Sequence, residues 1–122
     1  MLAHNKGIAA EKAEKGYLSG MMVFEFFSPN MPAIAASAGV DFLMYDMEHT
    51  AIGTDTLRQQ MAACRGLDLM PLVRVPSVEA NIIGQILDIG ALGIMVPMVE
   101  SAAQAEDIVR RAYYPPMGRR GT

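Results

Sequence analysis

The sequence predicts an α/β protein, a partial (β/α)8 TIM barrel of about four βα units preceded by a helix, in a single domain over residues 1–122. Three observations predict it. Apolar, β-prone runs recur at Met21–Phe27, Phe42–Tyr45, Met70–Val75 and Leu92–Val96. Helical patterns of about ten residues lie between them, each with a start signal. The runs are continuously apolar, as expected of strands covered on both faces. Strand and helix in strict alternation give a parallel sheet with crossover helices. A doubly wound sheet carries a glycine-rich phosphate loop after its first strand. Here that position reads Phe26-Phe27-Ser28-Pro29-Asn30, so a barrel fits better. A full barrel needs ~250 residues, about twice this length.

The elements follow in order. Ile8 to Lys15 is rich in Ala, Glu and Lys and favours a helix ended by Gly16. Ser28-Pro29 offers a cap followed by proline at the first helical position. Thr54-Asp55 opens the next helix and Ser77 the one after, with Val78, Ile82, Ile86 and Ile89 on one face. Ser101-Ala102-Ala103-Gln104 has the form of a capping box. Gly39, Gly66 and Gly90 stand where helices should stop.

Composition narrows the function classes. With 122 residues, 52% of them hydrophobic, the chain is long enough for a real core. A net charge of -3 without a basic stripe argues against nucleic acid and against an anionic membrane surface. Charged residues interrupt the N-terminus, which excludes a signal core there, and no apolar stretch approaches the ~20 residues of a membrane helix. The single cysteine, Cys64, excludes an internal disulfide and fits a reducing, cytoplasmic setting. Eleven methionines are many, and Met44, Met70 and Met95 fall within strand-like runs, where core filling is their expected role.

Candidate chemistry lies at strand ends. Asp46-Met47-Glu48-His49 follows the second apolar run, and side chains at the carboxyl ends of parallel strands point to where α/β folds place their sites. Arg74 closes the third run, in Pro71-Leu72-Val73-Arg74-Val75-Pro76; Pro97 and Glu100 follow the fourth. An arginine at the end of an apolar strand needs an anion. Its planar fork suits a substrate carboxylate, or an internal salt bridge to Asp46 or Glu48. Tyr113, Tyr114, Arg119 and Arg120 read as a polar turn punctuated by proline.

Five motifs stand in order: Tyr45-Asp46-Met47-Glu48-His49, Pro71-Leu72-Val73-Arg74, Ile86-Leu87-Asp88-Ile89-Gly90-Ala91, Val96-Pro97-Met98-Val99 and Tyr114-Pro115-Pro116-Met117-Gly118-Arg119-Arg120-Gly121. Together they resemble the N-terminal half of the HpcH/HpaI aldolase family, class II pyruvate aldolases related to 4-hydroxy-2-oxoheptanedioate aldolase. The resemblance implies metal-dependent retro-aldol cleavage of a 4-hydroxy-2-oxo acid to pyruvate, or a related 2-oxo acid, and an aldehyde. It implies that His49 accepts the proton of the C4 hydroxyl, that Arg74 binds the oxo acid, and that Asp88 raises the basicity of the histidine. Asp46 and Glu48 are supporting residues, and Asp46 is the local alternative partner of His49. The resemblance also implies a divalent ion (Mg²⁺, Mn²⁺ or Co²⁺) whose main ligands are expected beyond Thr122, none of them in this chain, and a homo-oligomer. On this reading the chain is a fragment of such an enzyme. The alternatives are a non-catalytic half-barrel acting as an assembly module, and a fragment of a citrate lyase β-subunit or malyl-CoA lyase type of enzyme.

Overall fold

The structure, a computed structural model, describes residues 16–121 together with residues 10 and 14. Its elements are β1 (Gly20–Val23), α1 (Met31–Ser37), β2 (Phe42–Asp46), α2 (Thr54–Cys64), β3 (Met70–Arg74), α3 (Ala80–Asp88), β4 (Gly93–Met95) and α4 (Ala102–Ala112). All four strands are parallel and stand in chain order. That order separates the two parallel architectures, because a doubly wound sheet reverses at a switch point while a barrel adds each strand beside the last. With right-handed crossovers every helix falls on the same side of the sheet; α1 packs on α2 and α3 on α4. The chain forms an arc of a (β/α)8 barrel, as its sequence predicts.

Side chains alternate across a strand, so register decides which residues share a face. On the helix side Val23, Leu43, Tyr45, Val73 and Val75 join Leu57, Met61, Cys64 and Ile86 in the core. Each such buried side chain contributes about 1.5–3 kcal/mol. The inner face carries the rows Gly20–Phe42–Met70, Met22–Met44–Leu72–Gly93 and Asp46–Arg74–Met95. Two rows hold a glycine where a neighbour crosses: a Cβ at Gly20 would collide with the Phe42 ring, and one at Gly93 would lie 3.1 Å from Leu72 Cδ2. The two lower rows are apolar, and the third, at the carboxyl edge, brings an aspartate beside an arginine.

Several element boundaries differ from the sequence expectation. The helix expected over Ile8–Lys15 lies outside the described residues except at Ala10 and Glu14. β1 ends at Val23 opposite Tyr45, short of the expected Phe27. An edge strand has one neighbour to hold it, and beyond that pairing the apolar run continues as a loop in which Phe27 packs on the core while Phe24 and Phe26 are exposed. β4, expected over Leu92–Val96, is shortened to Gly93–Met95 for the same reason. Ser28 does not cap α1: its hydroxyl accepts the Asn30 amide at 3.3 Å, Asn30 takes the cap position, and Pro32 sits in the first turn. Ser77 likewise closes a local turn by accepting the Glu79 amide at 3.4 Å, and α3 starts at Ala80. The buried face of α3 is therefore centred on Ile83 and Ile86, leaving Val78 exposed before the helix.

Other expectations hold. Gly39, Gly66 and Gly90 follow helices at φ of +78°, +80° and +114°, a conformation that favours glycine. Ser101 and Gln104 form the reciprocal capping box. Met44 and Met70 are buried, whereas Met95 is exposed on the last strand.

Cys64 is a buried free thiol on α2, and burial pushes its pKa up to about 11. Because the thiolate is the reactive species, labelling at pH 8 should be at least on the order of a hundredfold slower in the native protein than in denaturant. Timed reaction with a thiol reagent checks this, and equal rates in the two conditions would contradict the burial.

Candidate active site

Asp46 is the last residue of β2, Arg74 the last of β3, and the register sets them directly opposite each other. Both stand on the inner face, at the carboxyl edge of the sheet. Arg74 Nε donates to Asp46 Oδ1 at 2.8 Å and Nη2 to Oδ2 at 2.6 Å, a two-point fork. Asp46 Oδ1 also accepts the amides of Glu48 at 2.9 Å and His49 at 3.3 Å. Its carbonyl accepts the Thr50 hydroxyl, and the Met47 amide continues the ladder to the Arg74 carbonyl at 2.9 Å. The aspartate thus ends β2 and folds the following loop around its own carboxylate.

Electrostatics follow from this packing. Asp46 is fully buried, which alone would raise its pKa, yet the Arg74 hydrogen bonds dominate and the two amides add to them, holding the carboxyl at about 2. The same contact raises the pKa of Arg74. Glu48 lies between Arg74 and His49: its Oε2 is 3.4 Å from Arg74 Nε and 3.7 Å from His49 Nε2. The guanidinium and the imidazole are therefore no further apart than the sum of those distances. His49 is largely exposed, with 66% of its side chain open to solvent, while Arg74 keeps 19%.

This arrangement leaves a usable edge. Asp46 occupies the Nε–Nη2 side of the guanidinium, and the Nη1–Nη2 edge remains for a second carboxylate. A small anion held there would sit beside the imidazole. The internal salt bridge and the substrate site, two readings of Arg74 left open by the sequence, are compatible.

Asp88 lies elsewhere. α3 runs back towards the strand starts, and just after it the Leu92 amide bonds the Pro71 carbonyl near the start of β3. Asp88 therefore ends the helix towards the amino edge of the sheet, where it pairs with Arg120, whose guanidinium lies 4.7 Å from the Tyr114 ring centroid. Within the chain the imidazole's neighbour is Glu48, and Asp46 reaches His49 only through its backbone amide. The turn carrying Arg119 and Arg120 folds back on α4, with Arg119 bound to Asp107 at 2.7 Å. Glu100 sits in the loop before α4, its amide bonded to Gln104 Oε1.

The sequence reading missed Gln60. Fully buried on α2, it accepts the Tyr45 hydroxyl at 3.0 Å and donates to the Phe27 and Ser28 carbonyls at 2.8 and 3.2 Å. One amide thereby ties the β1–α1 loop to the strand that carries Asp46. The signal was a lone amide in the otherwise apolar stripe Leu57, Gln60, Met61, Cys64.

Among the described residues no group of three or more His, Cys, Asp or Glu side chains is placed to hold a metal ion. The reason is visible: Asp46 is filled by hydrogen bonds, and Glu48 lies against the Arg74 guanidinium and the His49 imidazole. This donor set does not fit a divalent ion by itself.

Parallel βα units in barrel order, with a paired aspartate and arginine and a histidine at the carboxyl edge, define a barrel protein whose candidate site lies where barrel enzymes place theirs. Residues 20–122 match the family described as HpcH/HpaI aldolase/citrate lyase, and the chain belongs to that family. It is 49% identical over 88 residues to a hydroxypyruvate/pyruvate aldolase of Roseobacter denitrificans, covering 72% of this chain and 34% of the relative. It is 43% identical over 97 residues to a 4-hydroxy-2-oxovalerate aldolase of Novosphingobium aromaticivorans, covering 76% and 36%. The crystal structure of an HpcH/HpaI aldolase from Desulfitobacterium hafniense superimposes with a TM-score of 0.87 at 34% identity, covering 96% of this chain and 44% of that one. The chain thus spans about a third of the length of these curated relatives.

Proposed function

We propose that this chain carries the carboxylate-binding and proton-handling part of a class II aldolase site, acting on a 4-hydroxy-2-oxo acid to give pyruvate, or a related 2-oxo acid, and an aldehyde. The observation that supports it most is the placement of Arg74 and His49 on either side of one Glu48 oxygen, beside a free guanidinium edge. The C1 carboxylate docks on the Nη1–Nη2 edge of Arg74, which Asp46 holds in place from the other side. His49 takes the C4 hydroxyl proton. The C3–C4 bond breaks to release the aldehyde, and its electron pair passes towards the C2 oxygen as an enolate, which the nearby guanidinium stabilises. Protonation at C3 completes the 2-oxo acid.

The family resemblance implies a divalent ion that would act as Lewis acid towards the enolate. The residues described do not form its site, so no step here passes through it. The role implied for Asp88 towards the histidine needs a neighbouring subunit, because within the chain Asp88 faces Arg120. We also infer that residues 1–122 belong to one barrel domain of a homo-oligomeric, cytoplasmic enzyme. Among the described residues no helix is long and apolar enough to cross a membrane.

Binding of pyruvate or its unreactive analogue oxamate, read by ligand-observed NMR, tests the site without requiring turnover. Arg74→Lys keeps the charge but loses the planar fork, and binding should weaken at least about tenfold. Equal affinity in both proteins would remove Arg74 from the site. Pyruvate release from a 4-hydroxy-2-oxo acid, with and without Mn²⁺, then tests the reaction itself.

A further inference from the structure

We propose that Glu48 sets the charge selectivity of the Arg74 edge: its carboxylate turns away doubly negative ligands and reserves the guanidinium for 2-oxo acids with no second negative charge beside the oxo group. This rests on the Arg74 site proposed above and adds the class of anion that it takes.

A guanidinium carries one positive charge, and Asp46 alone balances it. Asp46 is fully buried, forks onto Nε and Nη2 and accepts two backbone amides, so holding Arg74 in place needs no further acid. Glu48 is a second carboxylate at the same cation. Nε has a single hydrogen, and that goes to Asp46 Oδ1 at 2.8 Å. Glu48 Oε2, 3.4 Å from Nε, therefore meets Arg74 as a charge and not as a hydrogen-bond acceptor. Its distance to His49 Nε2, 3.7 Å, is also too long for a hydrogen bond. A carboxylate so placed adds little to the hold on the arginine. It does change the field at the open Nη1–Nη2 edge.

The fold builds this placement in. The Glu48 amide is bound to Asp46 Oδ1 at 2.9 Å, so the carboxylate that orients Arg74 also fixes the backbone of Glu48. The Glu48 side chain keeps 21% of its surface open, so water screens it only in part. All of these contacts lie in β2, β3 and the loop between β2 and α2, in the middle of the described sheet.

An anion at the Nη1–Nη2 edge is attracted by Arg74 and opposed by both carboxylates. Formally the three groups sum to one negative charge, and Coulomb energy follows the product of charges, so a dianion meets about twice the net opposition of a monoanion. His49 offsets this only when protonated. Oxamate and oxalate have nearly the same shape and share one carboxylate. They differ in whether the second group is a neutral amide or another carboxylate, which makes them the probes.

Ligand-observed NMR of both, on the 122-residue chain in metal-free buffer at about pH 8, where an ordinary imidazole is neutral, tests the proposal. Oxamate should bind more tightly than oxalate. Glu48→Gln removes the charge at nearly constant shape, and should tighten oxamate at least about twofold and oxalate at least about fourfold. Loss of a merely structural contact would do the reverse and weaken both. Glu48→Asp keeps the charge and should keep the preference for oxamate. Affinities that fall in Glu48→Gln, or an unchanged ratio between the two ligands, overturn the proposal. If that ratio ignores Glu48 while oxamate binding still depends on Arg74, the selectivity falls and the Arg74 site stands; if no Arg74-dependent binding exists, both fall. Should Glu48→Gln not fold, salt decides on the unaltered chain. Raising ionic strength from about 0.01 M to about 1 M should move the ratio towards oxalate, because screening relieves the repulsion. A ratio that stays fixed, or moves towards oxamate, overturns the proposal.

Discussion

Replacing Asp46 by asparagine should destabilise the protein by about 3 kcal/mol at neutral pH, because it leaves the Arg74 guanidinium partly buried without its carboxylate. The substitution is nearly isosteric, so packing hardly changes. What is lost is a fork of two charge-assisted hydrogen bonds, and an amide NH2 would face the guanidinium in place of an oxygen. The pH dependence carries a second, separable signature. Arg74 and two backbone amides hold the Asp46 carboxyl at about 2, below its ordinary 3.8. A carboxyl with a depressed folded pKa contributes stability that is full above the ordinary value and is lost as pH falls through the folded value. The gap between the two proteins should therefore be widest above about pH 5 and narrow between about pH 4 and pH 2. Urea midpoints measured at pH 7 and pH 2.5 read both effects. A midpoint unchanged at pH 7, or a gap that does not narrow in acid, would show that the pair does not stabilise the fold.

The βα alternation was legible because its signals are local. Apolar runs, the glycines at positions 39, 66 and 90, and the Ser101–Gln104 box each act within a turn or a strand. The carboxyl-edge position of Asp46, Glu48, His49 and Arg74 was legible for the same reason, since each follows or ends an apolar run. Their mutual geometry was not. Whether Arg74 meets Asp46 depends on the register of β2 against β3, and a shift of one residue would turn either side chain to the other face of the sheet. The end of β1 was misread because a run such as Met21–Phe27 has the same composition in a strand as in a loop whose one inward residue, Phe27, packs on the core. The partner of Asp88 lies 32 residues away in a turn that returns across α4, and no local pattern announces that.

Gln60 shows how a residue outside the recognised motifs can hold the site's surroundings. Its amide joins three segments: Oε1 accepts from Tyr45, and Nε2 donates to the carbonyls of Phe27 and Ser28. Gln60→Leu keeps the volume and removes every one of these bonds, leaving a buried hydroxyl and two loop carbonyls without this partner. The expected loss is about 3 kcal/mol, in the range for stranded buried polar groups. Tyr45→Phe should cost less, about 1–2 kcal/mol, since Nε2 still serves the loop. The double variant discriminates between a network and a simple packing role. With the tyrosine hydroxyl gone, Gln60→Leu no longer strands it, so the two losses together should fall short of their sum by about 1 kcal/mol. Strict additivity in urea unfolding of the four proteins would mean that Tyr45 and Gln60 act independently, and that the β1–α1 loop is not tied through this amide to the strand bearing Asp46.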